Sequence, residues 1–254
     1  MLAALWPRHM PGPLWQYRAG QAGADVVWDI LHQDPPAIAH PISAVIVLAG
    51  VTRGTDAELA QNMQLAQAGC ALAHRHGVRA LTASSQAVYG RQAEVLCESA
   101  TPAPATAYGQ AKLDMEHTVN AAHVTCLRIG NVAGCDGLFG AMERGPVKID
   151  QFSDGQGPRR MMIGPRDLAG VLATLCATQA ALPRVMNVAA PDLVSMTAMA
   201  TAAGVTWEWQ PAPTAALPVL AMNVDLLNTY VTVAETAATD LVAQARAGGW
   251  VPAT

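Results

Sequence analysis

Residues 79–90 read Arg-Ala-Leu-Thr-Ala-Ser-Ser-Gln-Ala-Val-Tyr-Gly, an apolar run that passes directly into the hydroxyl side chains of Ser84 and Ser85. Buried parallel strands joined by helices show short apolar runs of this kind. The sequence therefore predicts an α/β fold in which Ser85 stands at the carboxyl end of a parallel strand, where open α/β sheets bind ligands. Further strands of the same type are predicted at residues 14–17, 25–28, 43–48 and 124–127.

Composition narrows the class of protein. The formal net charge is −4, and the densest basic spots are single pairs such as Arg159 and Arg160, so nucleic acid is not an expected partner. The five cysteines form no Cys-x-x-Cys pair, which favours free thiols in a reducing compartment. No apolar stretch is long enough to span a membrane. We expect a soluble, cytoplasmic protein without a membrane partner.

Helix signals accompany the strands. Thr55 begins a capping box with Glu58, and the helix it opens should end at Gly77. A second helix is predicted from about Tyr108 to residue 121. Farther along, we expect a helix from about residue 166, a strand at 184–188, a helix capped by Ser195 that ends at Gly204, and a strand with the rings of Trp207 and Trp209 on one face.

Tyr108 and Lys112 lie one helical turn apart on the same face of the second helix. A tyrosine with a pKa near 10 is a poor base at neutral pH, but a nearby lysine cation and an oxidised nicotinamide both favour the phenolate. The pair can then exchange a proton with a substrate hydroxyl or carbonyl. His74 and His76 are also close in sequence, but alternate residues of a helix point apart, so we expect no metal site.

These motifs resemble the NAD-dependent epimerase/dehydratase branch of the extended short-chain dehydrogenase/reductase superfamily, over about residues 15–169. The resemblance implies a Rossmann-like, doubly wound parallel sheet with a small C-terminal substrate lobe. It assigns Ser85 to the reacting oxygen, Tyr108 to acid/base catalysis and Lys112 to the nicotinamide ribose. We expect one unit, 1–254, in which residues 1–134 mainly bind the dinucleotide and residues 135–254 combine the substrate lobe with returning sheet elements.

Other positions carry over one at a time from the same resemblance. Asp29 and Ile30 resemble residues near the adenine, Ala49 and Gly50 follow the strand that passes beside the cofactor, and Asn62 matches an asparagine of the next helix. For the substrate, the resemblance implies Ser85, Asn131 and Arg160, of which Arg160 would meet a phosphate. Arg18 closes a strand where NAD-preferring members usually carry an acidic residue. A cation there suits a ribose 2′-phosphate, so the sequence favours NADP slightly over NAD.

The chain departs from the family pattern at its beginning. The family opens with a strand and a glycine-rich turn that holds the cofactor pyrophosphate, and this sequence contains neither. The first residues instead resemble the helix that follows that turn. Either Met1 lies downstream of the true start, which we favour, or this is a shortened form without the central strand. As written, the chain is expected to bind the cofactor weakly.

The resulting functional hypothesis is an NAD(P)-dependent oxidoreductase or epimerase that acts on a small, sugar-like and nucleotide-linked substrate. The resemblance also suggests a homodimer through the helices that start near Thr55 and Tyr108. Two alternatives stay open at this point. One is a simple NADP-dependent carbonyl reductase or dehydrogenase, and the other is a non-catalytic, cofactor-sensing protein on the same fold.

Overall fold

The computed structural model describes residues 1–19, 22–92 and 95–253 and confirms the α/β class. The helices are α1 Leu2–Leu5, α2 Asp56–Arg75, α3 Ala107–Thr118, α4 Gly137–Met142, α5 Pro165–Ala177, α6 Met196–Ala203, α7 Asp225–Asn228 and α8 Ala238–Ala247, and a 3₁₀ turn spans Gln86–Tyr89. The strands are β1 Gln16–Tyr17, β2 Val26–Val27, β3 Ala44–Val47, β4 Arg79–Ser85, β5 Val124–Ile129, β6 Asn131–Val132, β7 Val147–Gln151, β8 Arg159–Ile163, β9 Val185–Val188, β10 Leu193–Ser195, β11 Trp207–Pro211 and β12 Val219–Leu220.

The main sheet has four parallel strands in the order β3-β4-β5-β9. Because successive residues of a strand point to opposite faces, each strand feeds two cores. Ala80 and Cys126 pack in one cluster with residues of α2 and α3, whereas Leu81 and Leu127 pack in another with residues of α5. Helices therefore cover both faces, which confirms the doubly wound, Rossmann-like arrangement.

The edge of β3 that faces away from β4 is unpaired within the described residues. β1 and β2 pair with each other in parallel, but neither is hydrogen-bonded to the main sheet. Leu48, directly after β3, is correspondingly exposed. The strands expected as one sheet thus form a four-stranded sheet and a separate two-stranded ribbon, because no described segment pairs with this edge of β3.

The helix and strand signals of the sequence are observed with small shifts at their ends. Thr55 and Glu58 form the capping box of α2, which ends at Arg75 with His76 as its C-cap. Ser195 caps α6, and Gly204 follows it in the left-handed conformation, with φ of 73°. The rings of Trp207 and Trp209 stack edge to face with centroids 4.9 Å apart, as expected for one face of β11.

A second, smaller core lies in the C-terminal half of the chain. It joins α4, β7, α6 and α8, and within it the rings of Phe139 and Trp250 meet edge to face, with centroids 4.7 Å apart. Beside it, β8 pairs with β10, β12 and β6. Since one residue separates β6 from β5, this pairing connects the main sheet to the C-terminal lobe. Among the described residues, no helix is long and apolar enough to cross a membrane.

A buried ion pair ties α3 to β5. Glu116 and Arg128 are 2% and 5% exposed, and their closest contact is 2.7 Å. Glu116 also accepts a hydrogen bond of 2.6 Å from Ser84, and the Arg128 guanidinium lies over the ring of Tyr89, 4.7 Å from its centroid. One carboxylate thereby joins helix α3, strand β5 and the end of strand β4.

Replacing Arg128 tests the strength of this joint. Arg128→Met leaves the Glu116 carboxylate buried without its cation, and the loss in the free energy of unfolding should be about 3–5 kcal/mol. The matched control is Lys148→Met, because Lys148 pairs with Glu208 at 3.4 Å while both side chains are 66% exposed; its loss should be below ~1 kcal/mol. Urea denaturation followed by circular dichroism measures both. Similar losses for the two variants would contradict the prediction.

Candidate active site

Ser85 is the last residue of β4, and the 3₁₀ turn that follows it ends the strand. Its Oγ accepts a hydrogen bond of 3.1 Å from the backbone N–H of Ala87. Since the oxygen is held as an acceptor, the hydroxyl hydrogen can be donated elsewhere. The Ser85 hydroxyl is near enough to the Tyr108 phenol to lower its pKa. The structure thus brings together these two predicted catalytic residues.

Tyr108 lies in the first turn of α3, where the N-cap Thr106 accepts a hydrogen bond of 3.0 Å from the N–H of Gly109. Gly109 makes the position of the phenol possible. A Cβ at this residue would lie 2.4 Å from the carbonyl oxygen of Ala87, so only glycine lets the first turn of α3 approach the 3₁₀ turn this closely. The Tyr-Gly dipeptide therefore serves the packing of α3 as well as the chemistry.

Burial raises the pKa of the Tyr108 phenol, and the Ser85 hydroxyl partly opposes that effect. From the sequence, Lys112 was expected to lower this pKa. In the structure the Lys112 ammonium donates instead to the carbonyl oxygen of Ala83, at 2.9 Å. The phenol is consequently protonated at neutral pH in this state of the protein, and a further positive charge beside it is needed to favour the phenolate.

The Lys112 ammonium is the most deeply buried charge of the site. The side chain is 4% exposed, and burial lowers its pKa to about 8. Apart from the Ala83 carbonyl, the one hydrogen-bond acceptor of this ammonium among the described residues is the weak acceptor Met115 Sδ, at 3.9 Å. An ammonium carries three donors, so at least one N–H is available to a further acceptor.

The segment that carries Ala49 and Gly50 passes beside this ammonium. A Cβ at Gly50 would lie 3.1 Å from Lys112 Nζ and 2.9 Å from Asn62 Oδ1, so the backbone approaches both side chains closely, and Ala49 and Gly50 are exposed. Asn62 fixes the segment because its Oδ1 accepts from the N–H of Val51 at 3.1 Å and its Nδ2 donates to the Val51 carbonyl at 2.9 Å. A buried ammonium with a spare donor beside uncovered backbone fits the hydroxylated ribose of a nicotinamide nucleotide.

The residues predicted for the adenine half lie at the ribbon of β1 and β2. Arg18 Nε and His32 Nδ1 contact the two carboxylate oxygens of Asp29, at 3.1 and 3.0 Å. His32 and then Arg18 lower the pKa of Asp29, and Ile30 follows it in the chain. The sequence analysis predicted Arg18 and Asp29 separately, whereas the structure joins them in one exposed ion pair. The glycine-rich turn of the family pattern is absent from the described residues.

A chain of polar side chains on the substrate side was missed by the sequence analysis. Gln86, next to Ser85, donates from Nε2 to Asn131 Oδ1 at 2.5 Å, and Asn131 donates from Nδ2 to Asp136 Oδ2 at 2.7 Å. Asp136 also caps α4, where its Oδ1 accepts from the N–H of Phe139 at 3.0 Å. Asn131 was predicted, but Gln86 and Asp136 carry no recognisable motif. The one available signal was that Asp136, before Gly137, is a typical N-cap residue. No such signal marked Gln86.

Asn131 also lines a groove whose walls come from α4, β7 and the start of α6. The groove residues are Asn131, Gly137, Leu138, Ala141, Arg144, Pro146, Val147, Lys148 and Met196. Arg144 and Lys148 bring positive charge to this groove, which we call the cationic groove, and Lys148 also pairs with Glu208. Arg160 lies two strand positions before Met162, the partner of Asn131 in β8, and its guanidinium donates to the carbonyls of residues 159, 217 and 218. It has no carboxylate partner among the described residues.

No cluster of three metal-ligating side chains occurs in the part of the chain that the structure describes. The charged side chains around these residues are the cations Lys112, Arg144, Lys148 and Arg160 and the carboxylate of Asp136, and Lys148 is paired with Glu208.

Comparisons with known proteins point to one family and one fold. The sequence profile of the NAD dependent epimerase/dehydratase family matches residues 29–188, a segment that contains Ser85, Tyr108 and Lys112. No curated protein sequence matches the chain. Among solved structures, MoeE5 in complex with UDP-glucose and NAD is 20% identical, with a TM-score of 0.70 and coverage of 92% of this chain and 89% of that one.

Two further structures illustrate the range of the likeness. The UDP-Glc/GlcNAc 4-epimerase from Campylobacter jejuni is 19% identical, with a TM-score of 0.64 over 81% of this chain and 75% of that one. The NAD dependent NDP-hexosamine 5,6-dehydratase TunA, involved in tunicamycin biosynthesis, is 15% identical, with a TM-score of 0.67 over 88% and 82%. At these identities the likeness establishes the shared fold.

Because of the tight contact at Gly109, replacement by alanine should change stability in opposite directions at Gly109 and at Gly170. Alanine is the better helix former by roughly 1 kcal/mol, so Gly170→Ala in α5, where a Cβ meets no atom within 4 Å, should be neutral or stabilising. Gly109→Ala forces a Cβ against the Ala87 carbonyl and should cost ~1–3 kcal/mol, a typical overpacking penalty. Urea denaturation of both variants provides the measurement. Stabilisation by Gly109→Ala would show that α3 does not approach the 3₁₀ turn as described.

Proposed function

Because the chain belongs to the NAD-dependent epimerase/dehydratase family, we propose that it oxidises and re-reduces a hydroxyl-bearing carbon of a sugar-like, nucleotide-linked substrate. Membership makes the protein an NAD-dependent enzyme. The observation that carries the finer proposal is the position of Ser85 near the Tyr108 phenol. Tyr108 lies in α3, and the next turn of the same helix holds the buried Lys112 ammonium.

Each residue has a distinct task in this proposal. When bound, the oxidised nicotinamide supplies the hydride acceptor and a positive charge. Tyr108 takes the proton of the substrate hydroxyl as the carbon loses its hydride, and it returns a proton when the hydride comes back. Ser85 donates its free hydroxyl hydrogen to the same substrate oxygen. Lys112 holds the ribose through its spare N–H, and the positive charge of the bound nicotinamide favours the phenolate of Tyr108.

Return of the hydride decides the reaction class. If the oxidised substrate stays bound and receives the hydride on its opposite face, the result is an epimer with no net change of cofactor. If it leaves first, the enzyme is a simple dehydrogenase or reductase. We favour epimerisation because the groove that Asn131 lines can retain a large substrate during the intermediate step, and Gln86, the neighbour of Ser85, is hydrogen-bonded to Asn131.

A nucleotide-linked substrate is supported by the cations of the groove. Arg144 and Lys148 line it with Asn131, and Arg160 is held nearby without a carboxylate partner. Such a set suits a diphosphate, since cations and amide N–H groups are its usual ligands. The complex of MoeE5 with UDP-glucose and NAD offers an analogy. In this assignment residues 1–134 mainly hold the cofactor and residues 135–254 add the substrate lobe.

The choice between NADP and NAD rests on Arg18. Its side chain is 72% exposed and pairs with Asp29, so a 2′-phosphate would have to compete with that carboxylate. We retain NADP as the proposal that follows from this cation, and NAD as the alternative supported by the ligands named for the related structures.

The cytoplasmic location also stays a proposal, supported by five free cysteines and tested by cell fractionation.

Tyr108→Phe tests the proposed chemistry. The variant should lose at least ~100-fold in turnover, the usual contribution of a general acid/base, while its affinity for cofactor stays unchanged. Tyr230→Phe is the matched control, because the Tyr230 hydroxyl donates to the carbonyl of Ala181. Turnover is followed by NMR with UDP-glucose, UDP-galactose and UDP-N-acetylglucosamine, and cofactor affinity by fluorescence titration with NADH and NADPH.

The same assay separates the rival functions. An inverted centre without net cofactor consumption supports the epimerase, and consumption of one reduced cofactor per product supports the reductase. Cofactor binding without turnover by either the native protein or Tyr108→Phe would sink the enzyme proposal and support the sensor. A tighter fit of NADH than of NADPH would end the assignment of Arg18 to a 2′-phosphate.

We also propose a homodimer through α2 and α3, which pack side by side on one face of the main sheet. The outer side of α2 carries the small, exposed residues Ala57, Ala60 and Ala71, which allow close approach of a second copy. Ala60→Arg should then shift the protein from dimer to monomer in sedimentation velocity, whereas Ala243→Arg, on the exposed side of α8, should not. A native protein that sediments as a monomer at micromolar concentration would refute the dimer.

A further inference from the structure

The side chains of Gln86, Asn131 and Asp136 form a relay with a fixed direction. Each amide in it donates from its nitrogen to the next member, and the chain ends on the carboxylate of Asp136. A carboxylate that accepts from the N–H of Phe139 with one oxygen and from Asn131 with the other has no hydrogen to give. Asp136 therefore sets the direction of every amide in the relay.

The consequence appears at both amides. Asn131 must turn its Nδ2 to Asp136, so its Oδ1 faces Gln86, and Gln86 must turn its Nε2 to Asn131. The Oε1 of Gln86 is left buried without a hydrogen-bond partner among the described residues. An unpaired buried acceptor is costly, and its presence indicates that the direction of the relay is imposed from the Asp136 end.

Asn131 is the member of the relay that lines the cationic groove. Its Nδ2 carries two hydrogens, of which Asp136 takes one, and its Oδ1 has two lone pairs, of which Gln86 uses one. One N–H and one lone pair thus remain, at positions that the relay has fixed. Beside Arg144 and Lys148, an anionic oxygen is attracted to the N–H and repelled by the lone pair.

We propose that Asp136 is a positioning residue whose carboxylate fixes the direction of the Asn131 amide, so that Asn131 presents an N–H to an anionic oxygen of the ligand in the groove. This inference rests on the proposed nucleotide-linked substrate. The ligand oxygen is of the phosphate type, and Asp136 itself does not touch it. Gln86 completes the relay toward Ser85 and follows the direction that Asp136 sets.

Asp136→Asn gives a sharp test because it can reverse the relay without removing it. Asparagine is as good an N-cap as aspartate, so its Oδ1 can still accept from Phe139. Its Nδ2 then faces Asn131, which must rotate to present Oδ1, and Gln86 must rotate in turn. Both hydrogen bonds between the relay side chains are remade in the opposite direction, but the spare N–H and the spare lone pair of Asn131 exchange places.

The experiment measures the affinity of the native protein and of Asp136→Asn for UDP-glucose and UDP by calorimetry. We expect the dissociation constants of both ligands to rise about ten- to hundredfold, the usual effect of losing a hydrogen bond to a charged group. The urea midpoint and the affinity for NADH should stay at their native values. Asp56→Asn, an exposed position in the first turn of α2, controls for the loss of one negative charge and should leave all of these unchanged.

Three results would overturn the inference. Native affinity of Asp136→Asn for UDP-glucose would show that the direction of the Asn131 amide does not matter. A loss of affinity together with a lower urea midpoint would reduce Asp136 to a helix cap. Failure of the native protein to bind either UDP-glucose or UDP would remove the proposed substrate class and this inference with it, whereas the first two results would leave the proposed function intact.

Discussion

The ion pair between Glu116 and Arg128 is the constraint on which the geometry of the site depends. Glu116 lies one helical turn after Lys112 in α3, and it is bonded both to β5 and, through Ser84, to the end of β4. Ser85, the neighbour of Ser84, and Tyr108, one turn before Lys112, are therefore set relative to each other by a contact neither of them makes. Two charges with almost no exposure hold this position because each neutralises the other.

Lys112 is held inside this frame at a cost in free energy. Its pKa in the folded protein, about 8, lies below the ordinary value of 10.5, so folding disfavours its charged form. The penalty is present in full below about pH 8 and disappears as the pH rises toward the unfolded-state value. At neutral pH the protein thus keeps a cation where its stability would be greater without one. A charge retained against that penalty is better explained by a ligand than by packing.

Local pattern predicted the elements that carry the chemistry. The capping box at Thr55, the Tyr-Gly-Gln-Ala-Lys spacing and the hydroxyls after the run at residues 79–83 are short-range signals, and the structure places all three where they were expected. The relay through Gln86 and Asp136 could not be predicted from short-range sequence signals. It joins residues 45 positions apart in sequence, and an amide or a carboxylate has a definite partner only once the chain has folded.

The two ends of the proposed cofactor site are built on different principles, so the residues proposed for the chemistry are separate from those proposed for the choice of cofactor. The nicotinamide end rests on the buried Lys112 and on backbone fixed by the nearly unexposed Asn62. The adenine end rests on Arg18 and Asp29, an exposed ion pair of the kind that contributes little to stability. A 2′-phosphate can displace the Asp29 carboxylate from Arg18 at little cost, or Asp29 can accept ribose hydroxyls with Arg18 turned to solvent. Either outcome leaves Ser85, Tyr108 and Lys112 undisturbed, because the ion pair that positions them belongs to α3, β4 and β5 and not to the ribbon of β1 and β2.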